Sequence, residues 1–309
     1  MNGLYRQRGA AIIVALFVTS LVVIASVAMI TRLRIDLRNT ELLTNAIQGR
    51  FYAEGSIAWA MEQLNTNWSK KKPNQLVDAT PIRSPVNKVN NATISSTIYD
   101  PQGRFNINNL SDSKLTDSFS TLITIVDPNI EMDTAHMITL AIIDWISATV
   151  KNNDLDSYYL KLNPAYRAPH RPMVSISELR LVKGITPKLY AALAPYVIAL
   201  PETTKININS ASAPVLMCLS NTLTRSSANA IIAKRQQTPF ATTQQFLALD
   251  ILKNNPIPED RITTISNYFL VKTSVKVDQQ DILLYTLLQR IEKNSKPYEV
   301  MLWQSKGTL

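Results

Sequence analysis

The sequence predicts an α+β protein: one long N-terminal helix whose first part is fit to cross a membrane, an antiparallel β-sheet body, and a large all-α domain inserted into that body. Three observations carry this. From Ala10 to Ile30 no residue is charged, and only Thr19, Ser20 and Ser26 interrupt the apolar run. Stretches rich in Val, Ile, Thr and Tyr fall within 76–110 and again after 265. Between them the chain reads as helix almost throughout, with Ser, Thr and Asp caps and Pro at helix starts.

The first helix follows the basic peptide MNGLYRQR. At a rise of about 1.5 Å per residue, the run from Ala10 to Ile30 spans a hydrocarbon core of about 30 Å. A secretory signal peptide has a similar start, but its apolar region is shorter and ends at a small-x-small cleavage site. Here the run passes without a turn signal into TRLRIDLRNTELLTNAIQ, so a membrane anchor fits better. Arg6 and Arg8 precede the span while Arg32, Arg34 and Arg38 follow it, and charge alone leaves the orientation open. The helical pattern continues to about residue 68, through Leu33, Leu37, Ile47, Ile57, Met61 and Leu64, and then meets Lys70-Lys71-Lys72-Pro73, a solvated break. Gly49 and Gly55 weaken this helix without ending it.

The orientation comes from the junction Gln7-Arg8-Gly9 before Ala10-Ala11-Ile12, where a short basic leader ends in Gly at the edge of the apolar helix. This resembles the processing site of type IV prepilins and type II secretion pseudopilins, cut after the Gly on the cytoplasmic face. The resemblance implies a leader of residues 1–9, removed by prepilin peptidase after Gly9. It also implies a mature N-terminus at Ala10, open to N-methylation, a span of 10–30 in the bacterial inner membrane, and a periplasmic C-terminal part. Most members carry Glu at the fifth mature position, which is Val14 here. A carboxylate alone in an apolar helix is costly to bury, and in the family it is thought to pair with the N-terminal amine of the subunit ahead. Its absence resembles the pseudopilin K branch, the large minor pseudopilin at the filament tip.

The 309 residues can hold two cores beyond the anchor, and 46% hydrophobic with 18% charged residues reads as globular, without low complexity or obvious repeats. Cys218, the single cysteine, sits in PVLMCL and reads as a buried apolar thiol. Residues 1–150 hold 13 basic and 12 acidic side chains and 151–309 hold 19 and 11. That C-terminal excess raises nucleic acid or an acidic partner, against a plain basic surface. Of the two histidines, His136 lies on an apolar helix and His170 in a Pro-rich loop. No G-x-S-x-G, Walker loop, HExxH or CxxC occurs, so the usual parts of an enzyme are missing and no enzyme function is expected.

The segment 31–110 holds the rest of the first helix and the first strands. NATISSTIYD reads as a strand, Pro101-Gln102-Gly103 as a turn and RFNINNL as the returning strand of a hairpin. Asp100 to Leu110 resembles the signature placed before the inserted domain of pseudopilin K. The all-α insert spans 111–265, in two units of about 112–200 and 205–265. KNNDLDSYYLKLNPAYRAPHRPMVS within it reads as a long irregular loop. Residues 266–309 supply NYFLVKTSVKV, DILLYTLLQRIE and YEVMLWQSK, three strands that complete the sheet.

The insert resembles the SAM-like, helix-hairpin-helix units of pseudopilin K. Such hairpins can grip DNA phosphate through backbone N–H groups beside paired glycines. Here Lys183-Gly184-Ile185-Thr186 keeps one Gly, whereas the second hairpin is Asn221-Thr222-Leu223-Thr224. The motif therefore reads as a packing scaffold and no nucleic acid is expected, a membrane-anchored DNA-uptake protein being the alternative. Asp144, Asp154 and Asp156 are a candidate calcium set, since hard cations take several oxygen ligands. The family resemblance implies an acidic calcium loop after the Asp-Trp pair, but Ser147 and Thr149 stand where further carboxylates are expected. Solvated turn acids are the plain alternative. The resemblance further implies assembly with minor pseudopilins I and J, and with the pseudopilus of G and H, at a tip from which folded proteins are exported across the outer membrane.

Overall fold

The computed structural model describes residues 5–70, 81–148, 154–220, 222–293 and 296–307. Residues 71–73 of the Lys-rich break, Thr149 and Asn221 of the second hairpin lie outside them. Helix α1 (Tyr5–Lys70) is a single unbroken rod. Among the described residues it is the one helix long and apolar enough to cross a membrane; its most apolar window has a mean hydropathy of 2.8 and is wholly exposed. The polar residues of the span do not interrupt it, because the hydroxyls of Thr19, Ser20 and Ser26 donate to the carbonyls of Leu16, Phe17 and Val22 one turn back.

Further along, α1 buries Asn45, Ala53, Ile57, Ala60 and Leu64 against the sheet. Gly49 makes this approach close, since a Cβ there would lie 2.0 Å from Ile282 Cδ1. That is the reason for a glycine which propensity alone counts as a cost.

The chain then forms β1 (Ile82–Arg83), β2 (Asn87–Val89) and β3 (Ala92–Tyr99). The insert follows with β4 (Phe105–Asn106), α2 (Thr116–Val126), α3 (Met132–Ile146), α4 (Asp154–Leu160), α5 (Pro187–Leu193) and β5 (Val197–Ile198). It continues through β6 (Ile206–Asn207), α6 (Ala213–Met217), α7 (Arg225–Gln237), α8 (Thr243–Leu247) and β7 (Ile262–Thr263). The sheet is completed by β8 (Tyr268–Val277), β9 (Gln280–Lys293) and β10 (Lys296–Lys306). Its order is β1-β3-β8-β9-β10 with β2 also on β3, and every pairing is antiparallel. Burial alternates along β3, so one face of the strand packs on α1 and the other does not.

Register fixes where the insert sits. The β8–β9 turn lies against the part of α1 nearer its apolar N-terminal run, where Asn45 donates to Asp278 at 3.1 Å. At the opposite end Tyr268 pairs with Gln289, and the neighbouring Arg290 donates to the Leu64 carbonyl at 3.5 Å. The insert leaves after Tyr99 and rejoins at Tyr268, so it occupies the end of the body farthest from the apolar N-terminal part of α1.

Three expectations need correction. RFNINNL does not return along NATISSTIYD: a 3-10 turn at Pro101–Gly103 redirects the chain, and β4 pairs in parallel with β5. The turn is held by the Asp100 carboxylate accepting from Gln102 N at 2.9 Å. The insert is not purely helical, because β4–β5 and β6–β7 form two short parallel ladders. The Pro-rich loop contains α4. The two units of the insert also share one plan that composition does not reveal: each copy has a short strand, an Asn-x-Asn turn, two helices, a capped turn and a returning parallel strand.

Candidate functional site

The insert is set on the sheet by a polar junction. Asp100 Oδ2 accepts from Asn207 Nδ2 at 2.8 Å and from the Ser210 hydroxyl, while the Asn207 amide also reaches Ser266 at 2.9 Å. Burial pushes the Asp100 carboxyl above its ordinary range, and the bonds from Ser210, Ser266, Gln102 and Asn207 oppose that rise. The Gln102 side chain accepts from Tyr268 N at 3.0 Å and donates to the Lys205 carbonyl at 3.3 Å, tying the start of β8 to the linker between the copies. Gly103 lies against the second copy, where a Cβ would come 2.7 Å from the Ser210 backbone carbon.

Within each copy, asparagines hold the backbone. Asn106 Oδ1 accepts from Asn108 N at 3.2 Å and Leu200 N at 3.0 Å. Asn108 bonds the Met173 N–H at 2.8 Å, the Met173 carbonyl at 2.9 Å and the Leu200 carbonyl at 2.8 Å. In the second copy Asn207 accepts from Asn209 N at 2.9 Å, and Asn209 bonds the Phe240 N–H at 2.9 Å and carbonyl at 3.0 Å. Met173 and Phe240 then lead into matching caps: Ser175 with Glu178, and Thr242 with Gln245. An amide side chain suits this task, since it offers a donor and an acceptor to both polar groups of one buried peptide. The doubled N-I-N in FNINNL and ININSA was the signal available in the sequence.

The first copy alone carries the long segment between its second helix and Met173. There Trp145 meets Tyr159 edge-on at 5.4 Å, and Tyr159 stacks on Tyr166 at 5.4 Å. The Tyr159 hydroxyl accepts from Lys183 N at 3.1 Å, and burial pushes its pKa up to about 12. Of the three candidate calcium residues, two converge on one histidine. His170 Nδ1 lies 3.2 Å from the Asp144 carbonyl, and Nε2 lies 3.5 Å from Asp156 Oδ1. The Asp154 side chain is outside the described residues. Among the described residues no three His, Cys, Asp or Glu side chains group to hold a metal ion. The described oxygens therefore fall short of the six to eight, roughly, that calcium takes.

The remaining sequence-predicted positions are dispersed. Gly9, Ala10 and Val14 lie within α1, with Ala10 and Val14 exposed. Gly184 adopts φ +89°, and its open face meets Ile138 of α3, where a Cβ would lie 2.7 Å away. Cys218 is fully buried, and burial pushes its thiol up to about 12, in keeping with an inert apolar residue.

The two copies coincide with two family profiles, both described as type II secretion system protein K, matching residues 103–202 and 206–264. The type II secretion system protein K of Pectobacterium carotovorum is 30% identical over 320 residues, covering 95% of this chain and 97% of that protein. The chain belongs to the type II secretion system protein K family. Similar proteins of that name occur in Aeromonas hydrophila, 33% identical over 66% of this chain and 67% of that protein, and in Pseudomonas aeruginosa, 28% identical over 92% and 89%. The fold of this chain matches a chain in the crystal structure of the GspK-GspI-GspJ complex from enterotoxigenic Escherichia coli. The TM-score is 0.73 at 22% identity, covering 88% of this chain and 100% of that one. Membership makes it a minor pseudopilin of type II secretion.

Proposed function

We propose that this chain is the tip subunit of the type II secretion pseudopilus, initiating its assembly with minor pseudopilins I and J ahead of the G and H subunits. In that role it acts in the export of folded proteins across the outer membrane. The observation that carries this is the position of the insert: the duplicated cap sits on the membrane-distal end of the body, where a further subunit would have to add. Val14, without a carboxylate, suits a subunit with none ahead of it. The partner assignment draws on the complex in which the matched E. coli chain was crystallised. The protein works by binding rather than catalysis, anchored once in the inner membrane with its body in the periplasm.

Prepilin peptidase would cut after Gly9 and leave Ala10 as the N-terminus, open to methylation. Gly9→Leu should block processing and abolish secretion, while Val14→Glu should insert normally and bring little gain in assembly. Co-purification with the I and J subunits is the central test, and failure to form that complex would overturn the reading. Calcium at Asp144, Asp154 and Asp156 is a separate proposal, supported by the Asp144 carbonyl and the Asp156 carboxylate lying about the one His170 imidazole. A Tm unmoved by millimolar calcium would remove it. The DNA-uptake alternative is less well supported, because the glycine of the first hairpin is packed on Ile138. Strong, salt-dependent DNA binding would revive it.

A further inference from the structure

The two copies of the insert leave between them a cleft that neither contains alone. Its volume is about 370 Å³, which falls in the range of roughly 300–1,000 Å³ usual for ligand sites. Phe105 of β4 and Ile206 of β6 belong to the two short ladders, and with Leu219 they form a buried apolar floor. Half-buried Leu115 adds an apolar wall. The linker that joins the copies runs along the cleft on a fixed course, because Asn109 accepts from Thr204 N at 2.9 Å and donates to the Thr204 carbonyl at 2.6 Å. On either side of that clamp, Thr203 and Lys205 are exposed along the cleft.

Charge identifies what the cleft would take. Lys114, Lys205 and Arg261 line it, and among the described residues none of the three has a carboxylate oxygen within 4.0 Å. Arg261 is held in place from one side, donating to the Ser118 hydroxyl and to the Lys114 carbonyl, each at 3.1 Å. These bonds tie the second copy to the start of α2 and leave other guanidinium N–H groups without a partner among the described residues. A guanidinium fixed in this way is pre-organised for a carboxylate, which it can meet in two parallel bonds. Two acids also line the cleft. The Asp112 carboxylate accepts from Lys114 N at 3.0 Å and so caps the turn before α2, while Asp260 is exposed. They repel a dianion such as phosphate more than a single carboxylate, and they can accept from the N–H groups of a peptide main chain.

We propose that this cleft binds an extended acidic segment of another protein, with a carboxylate at Lys114, Lys205 and Arg261 and a neighbouring large apolar side chain over Leu115 and the floor. The cations come from both copies and from the linker, so occupancy draws on all three, and the second copy gains a role beyond packing. The basic excess of residues 151–309, 19 side chains against 11 acidic, favours the approach of such a segment. Binding here needs no particular place in the pseudopilus, so this site and the tip reading fail separately.

The test is fluorescence anisotropy on the detergent-solubilised full chain with the labelled peptides Gly-Ser-Asp-Leu-Asp-Ser-Gly and Gly-Ser-Glu-Phe-Glu-Ser-Gly. At least one should bind tenfold or more tighter than its Asn or Gln counterpart, and tighter than a version with Ser in place of Leu or Phe. Lys114→Gln and Lys205→Gln should each weaken binding threefold or more with Tm unchanged, since both side chains are exposed. Thr203→Trp, which fills the cleft from an exposed position, should abolish binding and leave Tm unchanged, whereas Lys234→Gln, exposed and outside the cleft, should change neither. No binding of either peptide at millimolar concentration, equal binding of the amide counterparts, or an equal loss in Lys234→Gln would overturn the site. Displacement of the peptide by inorganic phosphate or duplex DNA at matching concentration would overturn it in favour of a phosphate site. Peptide binding without co-purification of I and J fails the tip reading alone, and co-purification without peptide binding fails the cleft alone.

Discussion

The two copies within the insert are built on one plan and differ in what is hung on it. Ala135 and Ile138 of α3 have buried counterparts in Ala228 and Ile231 of α7, at the same distance from their N-caps. The first copy continues past this point into Asp144, Trp145 and a segment that includes α4, before Met173. In the second, α7 ends at Gln237 and Phe240 follows almost at once. The second also shortens α5 to a 3-10 turn at Glu259–Arg261. At the position of Ile142 it has Arg235, a buried guanidinium that donates to the Ile208 carbonyl at 2.6 Å and whose pKa burial lowers to about 10. The difference teaches that the asparagine clamps are the shared structural minimum. The aromatic cluster and acidic loop are an elaboration that the clamp at Met173 tolerates.

The largest expected effect falls where the copies touch. Gly103→Ala would drive a Cβ into the Ser210 backbone, which cannot rotate away as a side chain can, and should cost about 2–3 kcal/mol. Urea unfolding of the detergent-solubilised chain measures this, and an unchanged midpoint would show that the copies are not rigidly joined. Next come the clamps. Asn108→Ala removes three buried hydrogen bonds to backbone and Asn209→Ala two, so losses of about 2 and about 1.5 kcal/mol are expected by the same measurement. Equal losses would mean that the Leu200 contact adds nothing to the first copy.

His170→Ala should cost only about 1 kcal/mol, since it removes contacts confined to the elaborated segment. Hydrogen exchange should quicken between residues 154 and 172 and stay unchanged in the second copy.

The smallest effect is one of pH. Because burial raises the folded-state pKa of Asp100, ionisation disfavours the fold. Its contribution therefore grows as pH falls through the raised value and is complete below its ordinary pKa of 3.8. The stability of the wild type minus that of Asp100→Asn should rise as pH falls. A difference that is flat, or that shrinks, would place this carboxylate in a more solvated setting.

Much of this was legible beforehand. The apolar run marked a helix long and apolar enough to cross a membrane, because transfer of uncharged side chains into hydrocarbon depends on composition and length. Alternation in NATISSTIYD and the three C-terminal segments marked the strands, since a half-buried strand writes its two faces into successive residues. Asn106 and Asn108 read as part of a returning strand, because their partners at Met173 and Leu200 are remote in sequence, and nothing local marks the pairing of Asn209 with Phe240 either. The same holds for Asp100, whose carboxylate meets Asn207 and Ser210 more than a hundred residues later.

The sequence by itself determined the long apolar helix, the sheet-forming segments and the family to which the chain belongs, all of which depend on periodicity, composition or a contiguous motif. Only the tertiary structure decided that RFNINNL turns away from its expected hairpin, that the insert is one design used twice, and that it stands at the far end of the body. Those outcomes rest on parallel pairings and buried side-chain bonds between distant segments, whose free energy appears only once the chain has closed on itself.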